Sequence, residues 1–370
     1  MTSWATEADL DLARGRFLAC SPPLRYSPPL RLLLAVGPDR DCVILNAHHA
    51  AFDGFSCLEL LRAAARSYPP ASSGRGGQVP ADAAGITGAA YRTTAPGSGT
   101  GTERPQAHMG DGTHAARRLR LPRAVTRIAP ETGDRRSRGY GLHLMPVTSV
   151  AALQLCRSRL GATVNDVLVS ALILAVADWN AAHGRRTKRI RITVPMSGRR
   201  ADQIAVLGNL SRLTVVTASP LAAGDDIRAL VREVASQTRS AKDATGPQVD
   251  LLSRALARAW LPSSFKRRLL QVLVKTVGRA VVDTSLLTNL GVTYPLRFGP
   301  AVAAQMAFST SAHMPRGLSV GAITVGDRLQ LCLRYRHALF SSEAAGRFAL
   351  CYSQALGSLA RNMPSSAAHP

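Results

Sequence analysis

Aromatic residues make up only 5% of this 370-residue chain, and they do not alternate with its basic residues. A stacking platform for nucleic acid needs that interleaving, so no specific nucleic-acid site is expected. Lysine is scarce, occurring only at Lys188, Lys242, Lys266 and Lys275. Acidic residues number 23 against 46 basic ones. The six cysteines (Cys20, Cys42, Cys57, Cys156, Cys332 and Cys351) lack paired spacing, which excludes a disulfide framework and fits reduced thiols in a cytoplasm. No stretch reaches the roughly 18 uncharged apolar residues of a spanning helix. The first residues lack the basic-then-apolar order of a signal peptide. No His/Cys/Asp/Glu cluster has metal-ligand spacing, so no metal site is expected.

What is present is arginine. The formal net charge is +23, part of it consistent with a GC-rich coding bias that also favours Ala, Gly and Pro. The plain reading is a basic, solvated surface. The functional reading is attraction to polyanions: coenzyme A phosphates, an acidic carrier protein or an anionic membrane surface. With 46% hydrophobic residues and near-zero mean hydropathy, the chain can bury two core-bearing lobes.

Residues 31–36 and 42–46 are apolar and partly β-branched, broken by Gly37-Pro38-Asp39-Arg40; they predict two short strands joined by a turn. Helical periodicity is expected over 55–68, 149–160, 163–183, 225–241, 250–282 and 342–359. Strands are expected at 142–147, 190–194 and 213–217, with a hairpin of 320–325 and 329–335 around Gly326-Asp327. Residues 71–115 are rich in Gly, Ser, Thr and Pro and read as a connector. Arg135-Arg136-Ser137-Arg138 is basic and turn-like. The stretch 260–282 is a basic amphipathic segment, either a core helix with a solvated face or one resting on a membrane. The pattern is α+β and two-lobed, divided into residues 1–135 and 136–370.

The most informative string is His48-His49-Ala50-Ala51-Phe52-Asp53-Gly54. It leaves the second expected strand and leads into a helix, so two imidazoles stand at a strand mouth. An imidazole, with an ordinary pKa near ~6.5, suits general-base chemistry near neutrality. Two other readings stand beside it. The histidines are ordinary strand-end residues with Asp53-Gly54 a turn, or His, His and Asp ligate a metal. Adjacent strand residues point to opposite faces, which opposes a shared ion.

This string resembles the His-His-x-x-x-Asp-Gly motif of acyltransferases with the chloramphenicol acetyltransferase fold, among them condensation domains, polyketide-associated acyltransferases and wax ester/diacylglycerol acyltransferases. Thr163-Val164-Asn165-Asp166, Val194-Pro195-Met196-Ser197-Gly198-Arg199 and Thr288-Asn289-Leu290-Gly291 resemble later family segments, the last of them a turn. Ser309-Thr310-Ser311 is similar to a triplet of carnitine acyltransferases. The resemblance implies a two-lobed sandwich with a central tunnel and the histidine motif midway. It also implies a shortened N-terminal lobe, since only some fifteen residues stand where relatives carry a further strand–helix–strand unit.

It further implies His49 as general base, acting on a hydroxyl or amine acceptor that attacks a thioester. The donor would be acyl-CoA or a phosphopantetheinyl carrier protein, with no permanently bound cofactor. Asp53 would order the loop by pairing with Arg199, and Gly54 would admit substrate close to the backbone. His48 and Asn289 would be supporting residues. For Asn165 and Asp166, helix capping suffices. The competing functions are an inactive condensation-like partner in a biosynthetic assembly and a basic polyanion-binding protein.

Overall fold

The computed structural model describes residues 1–25, 28–68, 124–147, 161–199, 206–220, 226–243 and 282–361, with residues 153, 264, 268 and 272. Its main body is a mixed six-stranded sheet, which fixes the class as α+β. Its strands are β4 (Tyr140–Val147), β5 (Ile190–Ser197), β6 (Ser211–Ala218), β7 (Ser285–Thr293), β10 (Leu318–Val325) and β11 (Arg328–Arg336). They lie in the order β4-β11-β10-β7-β5-β6. A two-stranded ribbon, β8 (Arg297–Phe298) and β9 (Ala301–Val302), joins β7 to the segment before β10.

Alternation gives this sheet one dry face. Ile190, Ile192, Val194, Leu318, Val320, Ala322, Leu329, Leu331 and Leu333 all enter a single core, as a period of two requires. Helices α3 (Val164–Ala182), α4 (Ile227–Asp243) and α5 (Ser342–Arg361) cover it. Helix α4 buries Leu230, Val231, Val234, Ala235 and Thr238, a stripe of three- and four-residue spacing. Helix α3 is buried on almost every side. It is long and apolar enough to cross a membrane, but most of it lies inside this core. Aromatic rings pack within it: Trp179 meets Phe340 and Phe348 edge-on, with centroids 5.2 and 5.6 Å away.

Helix α3 begins with a capping box. Thr163 Oγ1 accepts from the Asp166 amide, and Asp166 Oδ2 accepts from the Thr163 amide at 2.7 Å. The other Asp166 oxygen accepts from Thr238 Oγ1 of α4 at 2.7 Å. Asp166 therefore caps the helix and ties it to its neighbour, whereas Asn165 lies in its first turn. Residues before position 136 also feed this core: Ile128 and Ala129 are buried in it, and Ala129 O accepts from the Trp179 indole at 2.9 Å.

The N-terminal lobe holds a smaller sheet. β2 (Leu30–Val36) and β3 (Cys42–Ala47) form the expected hairpin, and β1 (Thr2–Ser3) adds in parallel to β2. Helix α1 (Glu7–Ala19) follows β1, capped by Thr6 and Asp9. Neither element was expected from the sequence, although Thr6-x-x-Asp9 is a recognisable start signal. Asn46 of β3 donates to Phe17 O and Cys20 O, at 2.8 and 2.9 Å, and closes the end of α1. From the other lobe, Arg334 of β11 donates to Leu18 O. Helix α1 thus sits between the two sheets. Helix α2 (Gly54–Arg66) follows the histidine motif.

Two corrections follow. Residues 287–291, expected as a turn, lie within the central strand β7, because Ser285 to Thr288 are buried and Leu286 to Asn289 pair with β10. The turn-like character survives locally: Gly291 has φ +76° and donates to Asn289 Oδ1 at 2.8 Å. Strand β5 runs to Ser197, three residues beyond the expected end, because β6 pairs along its whole length. The connector at 71–115 lies outside the described residues. So do the helices expected at 149–160 and 250–282, apart from residues 153, 264, 268 and 272, which are helical, and 282, which lies in a bend.

Candidate active site

β3 ends at Ala47, and the chain turns tightly through the histidines. His48 O accepts from the amides of Ala51 and Phe52 at 2.9 and 3.1 Å. The His48 ring is used inside the turn, its Nδ1 accepting from the Ala50 amide at 3.1 Å. That bond fixes its proton on Nε2 and makes His48 a loop-building residue. His49 is exposed. Its Nδ1 faces the Phe52 carbonyl at 3.4 Å, a long contact that only a protonated Nδ1 can make. The Nε2 lone pair is then the basic one. Its own carbonyl accepts from Asn209 Nδ2 of the opposite lobe at 2.8 Å.

Asp53 is buried, and it caps α2 by accepting from the Ser56 amide at 2.9 Å. Its carboxylate also receives both Arg199 Nη atoms, at 2.5 and 2.9 Å, and the Leu210 amide at 3.0 Å. Burial alone would raise the carboxyl pKa. Burial is the largest single influence, but the Arg199 hydrogen bonds, the Ser56 and Leu210 amides and the Arg199 charge together outweigh it, and the group is held below the usual carboxylate range.

Ser56, absent from the sequence-based candidates, completes the network. Its hydroxyl donates to Gly208 O at 2.7 Å and accepts from Gly208 N at 3.0 Å and Arg199 Nη2 at 2.8 Å. All three of its hydrogen-bonding positions are occupied. Gly208 has φ +153°, a conformation that favours glycine. Its carbonyl also accepts from the Asp53 amide at 3.2 Å. The signal was Asp53-x-x-Ser56 at a helix start, with Gly208-Asn209 before a strand.

Gly54 opens α2 under close packing. A Cβ there would lie 2.6 Å from Leu290 Cδ2 and 2.8 Å from Phe308 Cζ. The position therefore needs glycine for space. It lets the first turn of α2 press against β7, close to Asn289.

Beside this turn is a cavity of about 700 Å³. Gly54 and Phe55 form part of its wall, with Asn165, Ser197, Lys242 and Asn289 among the polar groups around it. The cavity thus gathers four of the sequence-derived segments. His48 and His49 are not among its walls, and the imidazole of His49 stands on the solvent side of the motif. The structure joins Asp53, Gly54, Arg199 and Asn289 into one locale and leaves His49 beside it. No group of three metal-binding side chains occurs among the described residues. Cys57, one turn into α2, is no ready nucleophile: burial and then the Asp53 charge push its thiol up to about 11.

No protein-family model matches the chain. Two uncharacterised proteins of Mycobacterium tuberculosis, from strains CDC 1551 and H37Rv, are each 29% identical over 365 residues, spanning 95% of this chain and 80% of theirs. The wax ester synthase/diacylglycerol acyltransferase of Marinobacter aquaeolei VT8 superposes with a TM-score of 0.59 at 13% identity, covering 98% of this chain and 79% of that one. The first condensation domain of the calcium-dependent antibiotic synthetase, solved with a substrate analogue, gives a TM-score of 0.58 at 16% identity, covering 99% and 76%. The SgcC5 protein of Streptomyces globisporus gives 0.54 at 15%, covering 98% and 80%. The chain therefore has the chloramphenicol acetyltransferase-like fold shared by condensation domains and the wax ester synthase/diacylglycerol acyltransferase.

Proposed function

We propose that this protein is an acyltransferase that moves an acyl group from a thioester, on coenzyme A or a phosphopantetheinyl carrier protein, to a hydroxyl or amine. The observation that carries this reading is the division of labour within residues 48–54. Asp53 is fully engaged by Arg199, Ser56 and Leu210, His48 by the Ala50 amide, and only His49 presents a free ring nitrogen to solvent. In this reading Nε2 of His49 removes the acceptor proton as the nucleophile attacks the thioester carbonyl. The resulting imidazolium returns that proton to the departing thiolate, so no acyl-enzyme forms. The first-turn amides of α2, at Gly54 and Phe55, are suitably placed at a positive helix end to stabilise the developing oxyanion. Asn289 and Arg199 support the loop and the adjoining strand end.

The test is thiol release from a panel of acyl-CoA and acyl-pantetheine thioesters with alcohol and amine acceptors. Turnover should fall about 10²–10⁴-fold in His49→Ala, the usual worth of a positioned base. Retention of full rate in that variant on its best substrate pair would overturn the assignment. One observation favours a second reading, a catalytically inactive partner in a biosynthetic assembly: the His49 ring does not line the neighbouring cavity. Absence of turnover across the panel by a folded protein supports that reading.

A further inference from the structure

The basic segment at 135–138 plays no part in the acyl-transfer site, yet it borders a cluster of arginines, Arg336 donating to Ser137 O. Arg334 and Arg336 of β11 lie on the sheet face that meets α1, two residues apart and therefore on the same side. Both guanidinium groups lean on one ring: their Cζ atoms lie 4.8 and 4.4 Å from the Tyr140 centroid. The Tyr140 hydroxyl is 3.3 Å from His313 Nδ1.

Arg334 donates to Leu18 O, and Arg336 to Ser137 O at 3.2 Å. Those acceptors are neutral carbonyls. Neither arginine makes an ion pair with a carboxylate, and the buried Nε atoms of both lack a hydrogen-bond partner among the described residues. Nearby Arg316 reaches the Asp283 carboxylate at 3.6 Å, but Arg191 shares that carboxylate at 3.8 Å. Arg135, Arg136 and Arg138 are exposed at the rim. Burial, and then the fields of Arg336, Arg334 and Arg316, hold His313 below the ordinary imidazole range, a sign of positive local potential.

Two like charges against one ring, with no carboxylate among the described residues paired to them, are costly unless an anion completes the arrangement. Guanidinium forks suit tetrahedral oxyanions, which accept from several donors at once. We propose that Arg334, Arg336, Tyr140 and His313 form a binding site for a phosphate-bearing ligand, with Arg135 and Arg138 drawing it in. The site takes a phosphomonoester or diphosphate rather than a lone carboxylate, because two unneutralised guanidinium groups call for a dianion. It stands whether or not His49 is a general base.

The probe is inorganic pyrophosphate, titrated calorimetrically into the full-length protein at constant ionic strength, with succinate as the carboxylate control. We expect saturable binding by the wild type and by His49→Ala, weakened roughly tenfold or more in Arg336→Gln, which loses a charged donor. Arg328→Gln, an exposed change elsewhere on β11, should bind as the wild type does. In wild-type protein, pyrophosphate should also raise the pKa of His313 followed by NMR, a readout independent of any variant's folding. Equal weakening by Arg328→Gln, equal binding of succinate, or an unmoved His313 titration would each overturn the site.

Discussion

Arg199 closes a two-pronged ion pair on Asp53 from 146 residues further along the chain, and Ser56 Oγ lies within hydrogen-bond distance of the same guanidinium nitrogen. The pair is almost wholly buried, its side chains 5% and 1% exposed. A buried pair is not strongly stabilising in itself, but breaking one is costly because it strands a charge. Arg199→Ala should therefore cost about 3–5 kcal/mol. Asp53→Ala should cost at least as much, since it also removes the cap of α2. The double variant should be less destabilised than the sum of the two, because neither charge is then left alone. Urea denaturation of the three variants measures this, and simple additivity would show that the pair is not coupled.

The same carboxylate sets an acid limit. Its folded pKa lies below the unfolded value of about 3.9. Its contribution is therefore complete above that value and is lost as pH falls through the folded pKa. Wild-type unfolding free energy should drop as pH falls below ~4, whereas Asp53→Asn should be less stable at neutrality and flatter over that window. Parallel curves for the two proteins would place the acid sensitivity elsewhere.

Gly54 is constrained by volume. Gly54→Ala should separate the first turn of α2 from Leu290 and Phe308, because the new methyl would lie within 3 Å of both side chains. We expect destabilisation of about 1–3 kcal/mol, as for overpacked sites. Leu290→Ala in the same chain should recover part of it by making room. No recovery in thermal melts would argue against this contact as the cause.

Thiol chemistry separates two cysteines on physical grounds. With its thiol pushed up to about 11, Cys57 should remain unmodified during brief alkylation at neutral pH. Exposed Cys20 should react. Peptide mapping by mass spectrometry gives the answer, and rapid labelling of Cys57 would contradict its burial beside Asp53.

The main alternation of the chain was readable because the six-stranded sheet has one dry face. Residues 190–194 and 329–335 place every second side chain in the core, and α4 carries a clean stripe. Strand β7 escaped notice because its sequence, Ser285-Leu286-Leu287-Thr288-Asn289, carries no polar–apolar period, although Ser285 to Thr288 are all covered. The helix α1 was obscured by its mixed face, with Leu10 its one buried residue. At the site, Asp53 and Arg199 were legible through the resemblance of two motifs. Ser56 and Gly208 were not: each sits at a recognisable helix or strand start, but the hydrogen bonds that join them span 152 residues, and no local pattern encodes that pairing.

Arg334 reaches Leu18 across 316 residues, and this has a consequence for biosynthesis. Helix α1 leaves the ribosome early, while the strand that grips its far end emerges only after most of the protein has been made. Until then, the Leu18 carbonyl lacks that donor, and the end of the helix is closed by the Asn46 bonds. Completion of this contact between the two halves is thus a late event, and a nascent chain stopped short of residue 334 lacks this clasp on α1.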